Sequence, residues 1–130
     1  MGCLFDTTKL MSEVTEMILT LPNKIYISSA NVDMRKSIDG LVSIVEDSFN
    51  CSSTDDALFV FHNKYCDKIK MLYWNTEGFC LLYKRIEKGR FRFPTKINSP
   101  VYTITEEELL WLLHGLKIED IRHYKKVVSE

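Results

Sequence analysis

The sequence predicts an α+β fold: a single domain with a mostly antiparallel β-meander sheet and helices packed on one of its faces. Three observations lead there. Residues 57–94 break into short aromatic and branched runs, each closed by turn formers, which is the pattern of a meander. Alternation within those runs puts phenylalanines on one side and cations on the other. Two stretches outside the meander, Asp33–Phe49 and Thr105–Gly115, carry apolar residues at helical spacing behind a residue suited to capping.

The chain has 130 residues, 45% hydrophobic and 27% charged, which is the size and balance of one soluble globular domain. No apolar run approaches the roughly 20 residues of a membrane span. Asp6, Glu13 and Glu16 stand where a secretion signal would be basic and then apolar, so a cytoplasmic protein is expected. The net charge of −1 is unevenly spread. Residues 1–56 hold 4 Lys/Arg against 9 Asp/Glu, residues 57–96 hold 9 against 3, and residues 97–130 hold 4 against 6. Cations sharing one face matter more to an anionic partner than a pI near 6.3. Cys3, Cys51, Cys66 and Cys80 lack paired metal-ligand spacing, and Cys80 reads as a small apolar group on the core face. No cofactor is implied.

Taken in order, Thr7–Leu21 places Leu10, Met11, Val14, Met17, Ile18 and Leu21 on one helical stripe, stopped by Pro22. Residues 1–21 thus read as an N-terminal helical extension to a domain spanning 22–130. The stripe either docks on its own domain or meets a partner, a second copy making a homodimer included. Lys24–Ser29 alternates like a short strand. A helix opened by Asp33 then sets Met34, Ile38, Leu41, Val42, Val45 and Phe49 on one side, with Gly40 read as a point of close approach to the sheet. Its first turn carries Arg35 and Lys36, the wrong sign for the helix dipole. Two readings are open: a phosphate occupies that terminus, or Arg35 pairs with Asp39 while Asp33 caps.

Hairpin geometry gives the meander its pairing. A turn at Asn75–Gly78 sets Trp74 opposite Phe79, Leu72 opposite Leu81, Lys70 opposite Tyr83 and Lys68 opposite Arg85. A turn at Lys88–Gly89 pairs Ile86 with Phe91 and Lys84 with Phe93. A five-residue loop Asn63–Asp67 places Phe59 and Phe61 beside Met71 and Ile69. One face then collects Phe59, Phe61, Ile69, Met71, Tyr73, Leu82, Ile86, Phe91 and Phe93, with Lys84 as the exception. The other collects His62, Lys68, Lys70, Trp74, Phe79, Tyr83, Arg85, Arg90 and Arg92. After Pro94 come a loop, a strand at Val101–Ile104 and the capping box Thr105-Glu-Glu-Glu108. Gly115 ends that helix, and the segment from Lys117 forms a last short one.

Three blocks of this chain, Ala57–Lys64, Asp67–Trp74 and Gly78–Pro94, together with Asp33–Leu41, resemble the TnpB accessory proteins of the insertion-sequence-66 family. The resemblance runs from about Pro22 to Gly115. Ser37 stands where a glycine is usual, and Lys64-Tyr-Cys66 replaces a more arginine-rich loop. It implies a small non-enzymatic protein that assists a separate transposase in moving an element.

The residues themselves offer no catalytic set. Asp33, Asp39, Asp67 and Glu77 are not gathered as a Mg²⁺ site requires, no Gly-rich phosphate loop occurs, and His62, His114 and His123 have no nucleophile placed by spacing. Binding is the expectation. Arg35, Lys36, Lys68, Lys70, Arg85, Lys88, Arg90 and Arg92 would take phosphates, while Trp74 and Tyr83 stack on bases. Leu58, Val60, Leu72 and Leu81 share that face, so a cover by a helix of this chain or by a partner protein is the other reading. The partners expected are therefore DNA at the element's ends, the transposase, or both, and no membrane.

Overall fold

The computed structural model describes residues 24–75, 77–94 and 97–114. The expected helices at Thr7–Leu21 and beyond Lys117, and the stop at Gly115, lie outside the described residues. Among the described residues there are five strands: β1 (Lys24–Ser28), β2 (Ala57–His62), β3 (Lys68–Asn75), β4 (Gly78–Arg85) and β5 (Val101–Ile104). They form one sheet in the order β4-β3-β2-β1-β5. Pairing is antiparallel except between β1 and β2, which run parallel. The described residues also include two α-helices, α1 (Ile38–Ser43), continued by a π-helical turn Ile44–Ser48, and α2 (Glu106–Leu113). The α+β class and the mostly antiparallel sheet are as expected.

The β3–β4 hairpin has the expected register throughout, from Asn75↔Gly78 to Lys68↔Arg85. The β2–β3 register is one residue away from expectation. His62 lies opposite Ile69, and Phe59 opposite Leu72 rather than beside Met71. The cause is the loop. Asn63 closes a four-residue turn by accepting the amides of Asp67 (3.1 Å) and Lys68 (3.0 Å) on its side-chain oxygen. Cys66 takes a positive φ of 56° to complete it. A one-residue slip exchanges faces, so Leu58 and Val60 join Ile69, Met71, Ile25 and Ile27. Phe59 and Phe61 go to the other side with Leu72, Leu41, Val45 and Phe49.

The helices therefore lie on opposite faces of the sheet, not together on one. Leu109 and Leu112 of α2 pack on the Ile25–Val60–Ile69 side. The α1 helix and its π turn pack on the Phe59–Phe61 side, where Phe59 stacks on Tyr26 (5.3 Å) and Phe49 on Phe61 (5.9 Å). Every residue of β2 is buried as a result, the state of a strand covered on both faces.

α2 begins as its sequence dictates: Glu108 N–H donates to Thr105 Oγ1 (3.1 Å), and Thr105 N–H donates to Glu108 Oε1 (3.0 Å). Its other end is served from the sheet. Lys84, the cation on an otherwise apolar face, donates through Nζ to the Leu113 carbonyl (3.2 Å), a favourable partner for a helix C-terminus. α1 starts at Ile38, five residues after the expected Asp33. Residues 33–36 instead form a turn in which Lys36 N–H donates to the Asp33 carbonyl. A side chain at Gly40 would meet the Lys36 stem, its Cβ coming within 3.2 Å of Lys36 Cβ, and not the sheet. Asn50, with φ of 58°, ends the π turn.

Residues 87–94 form no strand, and the expected hairpin at Lys88–Gly89 is absent. Phe91 N–H donates to the Cys66 carbonyl (2.6 Å) and Ile86 N–H to that of Asp67 (2.9 Å), so the segment is fastened to the β2–β3 loop. The inside–outside pattern survives: Phe91 is buried, Phe93 half-buried, and Arg90 and Arg92 exposed.

Candidate nucleic-acid interface

The ten candidate contact residues divide into two groups. Lys68, Lys70, Trp74, Tyr83 and Arg85 occupy the α1 side of β3 and β4, in the expected cross-strand pairs. Arg35 and Lys36 adjoin them in the turn before α1. Lys88, Arg90 and Arg92 belong elsewhere, around a cavity bordered by Phe91, Phe93, Leu113 and His114.

Most of the first group is already engaged. Lys70 Nζ donates to the Met34 and Lys36 carbonyls, each at 2.8 Å, and lies 5.7 Å from the Tyr83 ring centroid. It fastens the pre-helix turn to the sheet. Arg35 meets Asp33 at 2.6 Å, Lys68 meets Asp67 at 3.4 Å and Arg85 meets Glu87 at 2.9 Å. The hydrogen bond from the Arg35 guanidinium holds the Asp33 carboxyl at about 2. Arg35 thus pairs with Asp33 rather than Asp39, in the turn ahead of α1. Trp74 and Phe79 meet edge to face at 4.8 Å, half-buried against each other. The three ion pairs add little stability, but each sets a carboxylate beside a cation that would otherwise face an anion alone.

The second group differs in kind. Its cavity, of about 1090 Å³, is lined by Lys64, Lys88, Arg90 and Arg92, and no carboxylate lines it among the described residues. These four cations are exposed and form no ion pair among the described residues. Lys64, Tyr65 and His114 were not among the sequence candidates. Nothing local marks them: the loop is joined to residues 86–94 by the Phe91–Cys66 and Ile86–Asp67 hydrogen bonds, between positions far apart in sequence.

His62 forms part of the cavity wall and is itself buried. Its Nε2 lies 3.0 Å from the Ser28 carbonyl, and its Nδ1 is 3.2 Å from the Asn63 carbonyl and 3.9 Å from Cys66 Sγ. The ring stacks on Phe93 at 4.1 Å. Burial pushes the imidazole below its usual 6.5, outweighing the two carbonyls that favour the charged form. Burial likewise raises the Cys66 thiol, with Arg90 acting the other way.

A depressed folded-state value means the unfolded chain takes up the His62 proton first. This contribution to stability is whole above pH 6.5 and is lost as pH falls through the lower folded value. Urea midpoints should accordingly fall between pH 7.5 and 5 more steeply for the natural chain than for His62→Gln. Parallel profiles would refute the assignment.

Among the described residues no cluster of His, Cys, Asp or Glu could hold a metal ion, and no helix is long and apolar enough to cross a membrane. The family described as IS66 Orf2-like protein matches residues 23–123. Uncharacterized protein y4jC of Sinorhizobium fredii is 31% identical over 93 residues, covering 72% of this chain and 79% of the relative. Uncharacterized protein y4hO of the same organism is 29% identical over 100 residues, covering 77% and 84%. No solved structure matches the chain.

Proposed function

From a chain that belongs to the IS66 Orf2-like family, and so to the accessory proteins of insertion-sequence transposition, we infer a non-enzymatic role: holding element DNA for the transposase. The contact runs through the cations around the cavity, not through the whole of β3 and β4. One observation carries this reading. Lys64, Lys88, Arg90 and Arg92 gather from two separated segments about one opening that no described carboxylate lines, whereas Arg35, Lys68 and Arg85 each have a carboxylate neighbour. Cations without a partner release DNA counterions on binding at no cost in broken ion pairs.

A salt titration of affinity for element-end duplex, read by fluorescence anisotropy, tests the assignment. Each phosphate neutralised adds about 0.9 to the slope of log K against log salt. The Arg90→Ala, Arg92→Ala double variant should flatten the slope by about two units, and Arg85→Ala by much less. An unchanged slope in the double variant would overturn the site. Failure to bind at low salt, with a stable complex formed with the transposase, would make the protein an adaptor that never touches DNA.

A further inference from the structure

The cationic rim explains attraction for phosphate, but not what lies beneath it. The cavity of about 1090 Å³ is open on one side and slightly above the usual size of sites that hold a small organic group. Its lining includes Ile86, Phe91, Phe93 and Leu113. Tyr65 stands at its edge in the β2–β3 loop, 65% exposed and with no ring partner among the described residues. The Phe93 ring is held in place by its stack on His62.

A paired duplex cannot fill such a space. It offers phosphates to the rim, while its bases stay stacked inside the helix, out of reach of a cleft walled in part by aromatic and aliphatic side chains. An unpaired nucleotide supplies both halves: a flat base for the aromatic and aliphatic lining, and a phosphate for the arginines. We propose that this pocket receives one unpaired nucleotide of a DNA strand, with its base against Tyr65 and its phosphate at Arg90 and Arg92. The proposal rests on the DNA-contact reading and narrows it to strand ends, overhangs or flipped bases.

The full chain is tested by anisotropy against three probes of one sequence: a blunt duplex, the same duplex with a short single-stranded overhang, and the single strand. Base stacking of the usual strength makes the overhang bind about tenfold tighter than the blunt duplex. Tyr65→Ala should collapse that ratio towards one, and Tyr65→Phe should keep it. Tyr65 is exposed in a loop, so neither change threatens folding. A deoxynucleoside monophosphate should displace the overhang probe at concentrations where inorganic phosphate does not.

Equal, salt-sensitive affinity for blunt and overhang probes would overturn the pocket and leave DNA contact standing. A preference that survives Tyr65→Ala, or equal displacement by phosphate and the nucleotide, would also overturn it. Binding to none of the three probes would remove both readings together.

Discussion

Phe59→Ala is expected to cost about 3–5 kcal/mol, the range for emptying a fully buried aromatic site, from a domain whose whole stability is on the order of 5–15 kcal/mol. Phe59 is 1% exposed, on a central strand buried on both faces. It stacks on Tyr26 at 5.3 Å and on Phe49 at 6.4 Å. Truncation therefore removes two ring contacts as well as the burial. Where the loss appears matters as much as its size. Leu58 faces the α2 side, so Leu58→Ala, at about 2–5 kcal/mol, should loosen a different layer. Hydrogen exchange should show Phe59→Ala speeding the amides of Ile38–Ser48, and Leu58→Ala those of Glu106–Leu113. The reverse order would mean that β2 sits one residue out of the register described.

Lys70→Met should destabilise the fold by about 1–3 kcal/mol while leaving the salt slope of DNA binding where it was. The ammonium makes two 2.8 Å hydrogen bonds to the Met34 and Lys36 carbonyls, and bonds to a charged group are among the stronger ones. Methionine keeps most of the stem over Tyr83 and loses both bonds, so the turn before α1 loses its attachment to β3. Urea denaturation measures the cost, and the anisotropy titration measures the slope. If Lys70→Met folds as well as the natural chain yet binds DNA with a flatter slope, Lys70 is a phosphate contact and the split between the two cationic groups is mistaken.

The two substitutions bear on different parts of what was readable in the chain. The β3–β4 register follows from the residues because pairing Asn75 with Gly78 at the hairpin end fixes every pair outward from it. The capping box of α2 and the alternation of Phe91 between Arg90 and Arg92 are equally local. β2 is different. Ala57–Phe61 is apolar on both faces, so alternation carries no signal about which side faces which helix. Its register rests on the Asn63 side chain and the left-handed Cys66, neither of which hydrophobic spacing detects. The candidate interface divided for a related reason. A charge pattern reports which residues are cationic, but not that Lys70 would spend its ammonium on two backbone carbonyls.

Short-range chemistry in this chain was sufficient for the α+β class, for all five described strands close to their observed limits, for the start of α2 and for the family. Tertiary structure alone decided that the helices take opposite sides of the sheet. It alone brought Lys64 and Tyr65 beside Arg90 and Arg92, through hydrogen bonds between residues 19 and 25 positions apart. Turns and caps are satisfied by near neighbours and so leave a mark in the sequence. A strand buried on both faces, and a cavity lined by separate loops, exist only once distant parts of the chain have met.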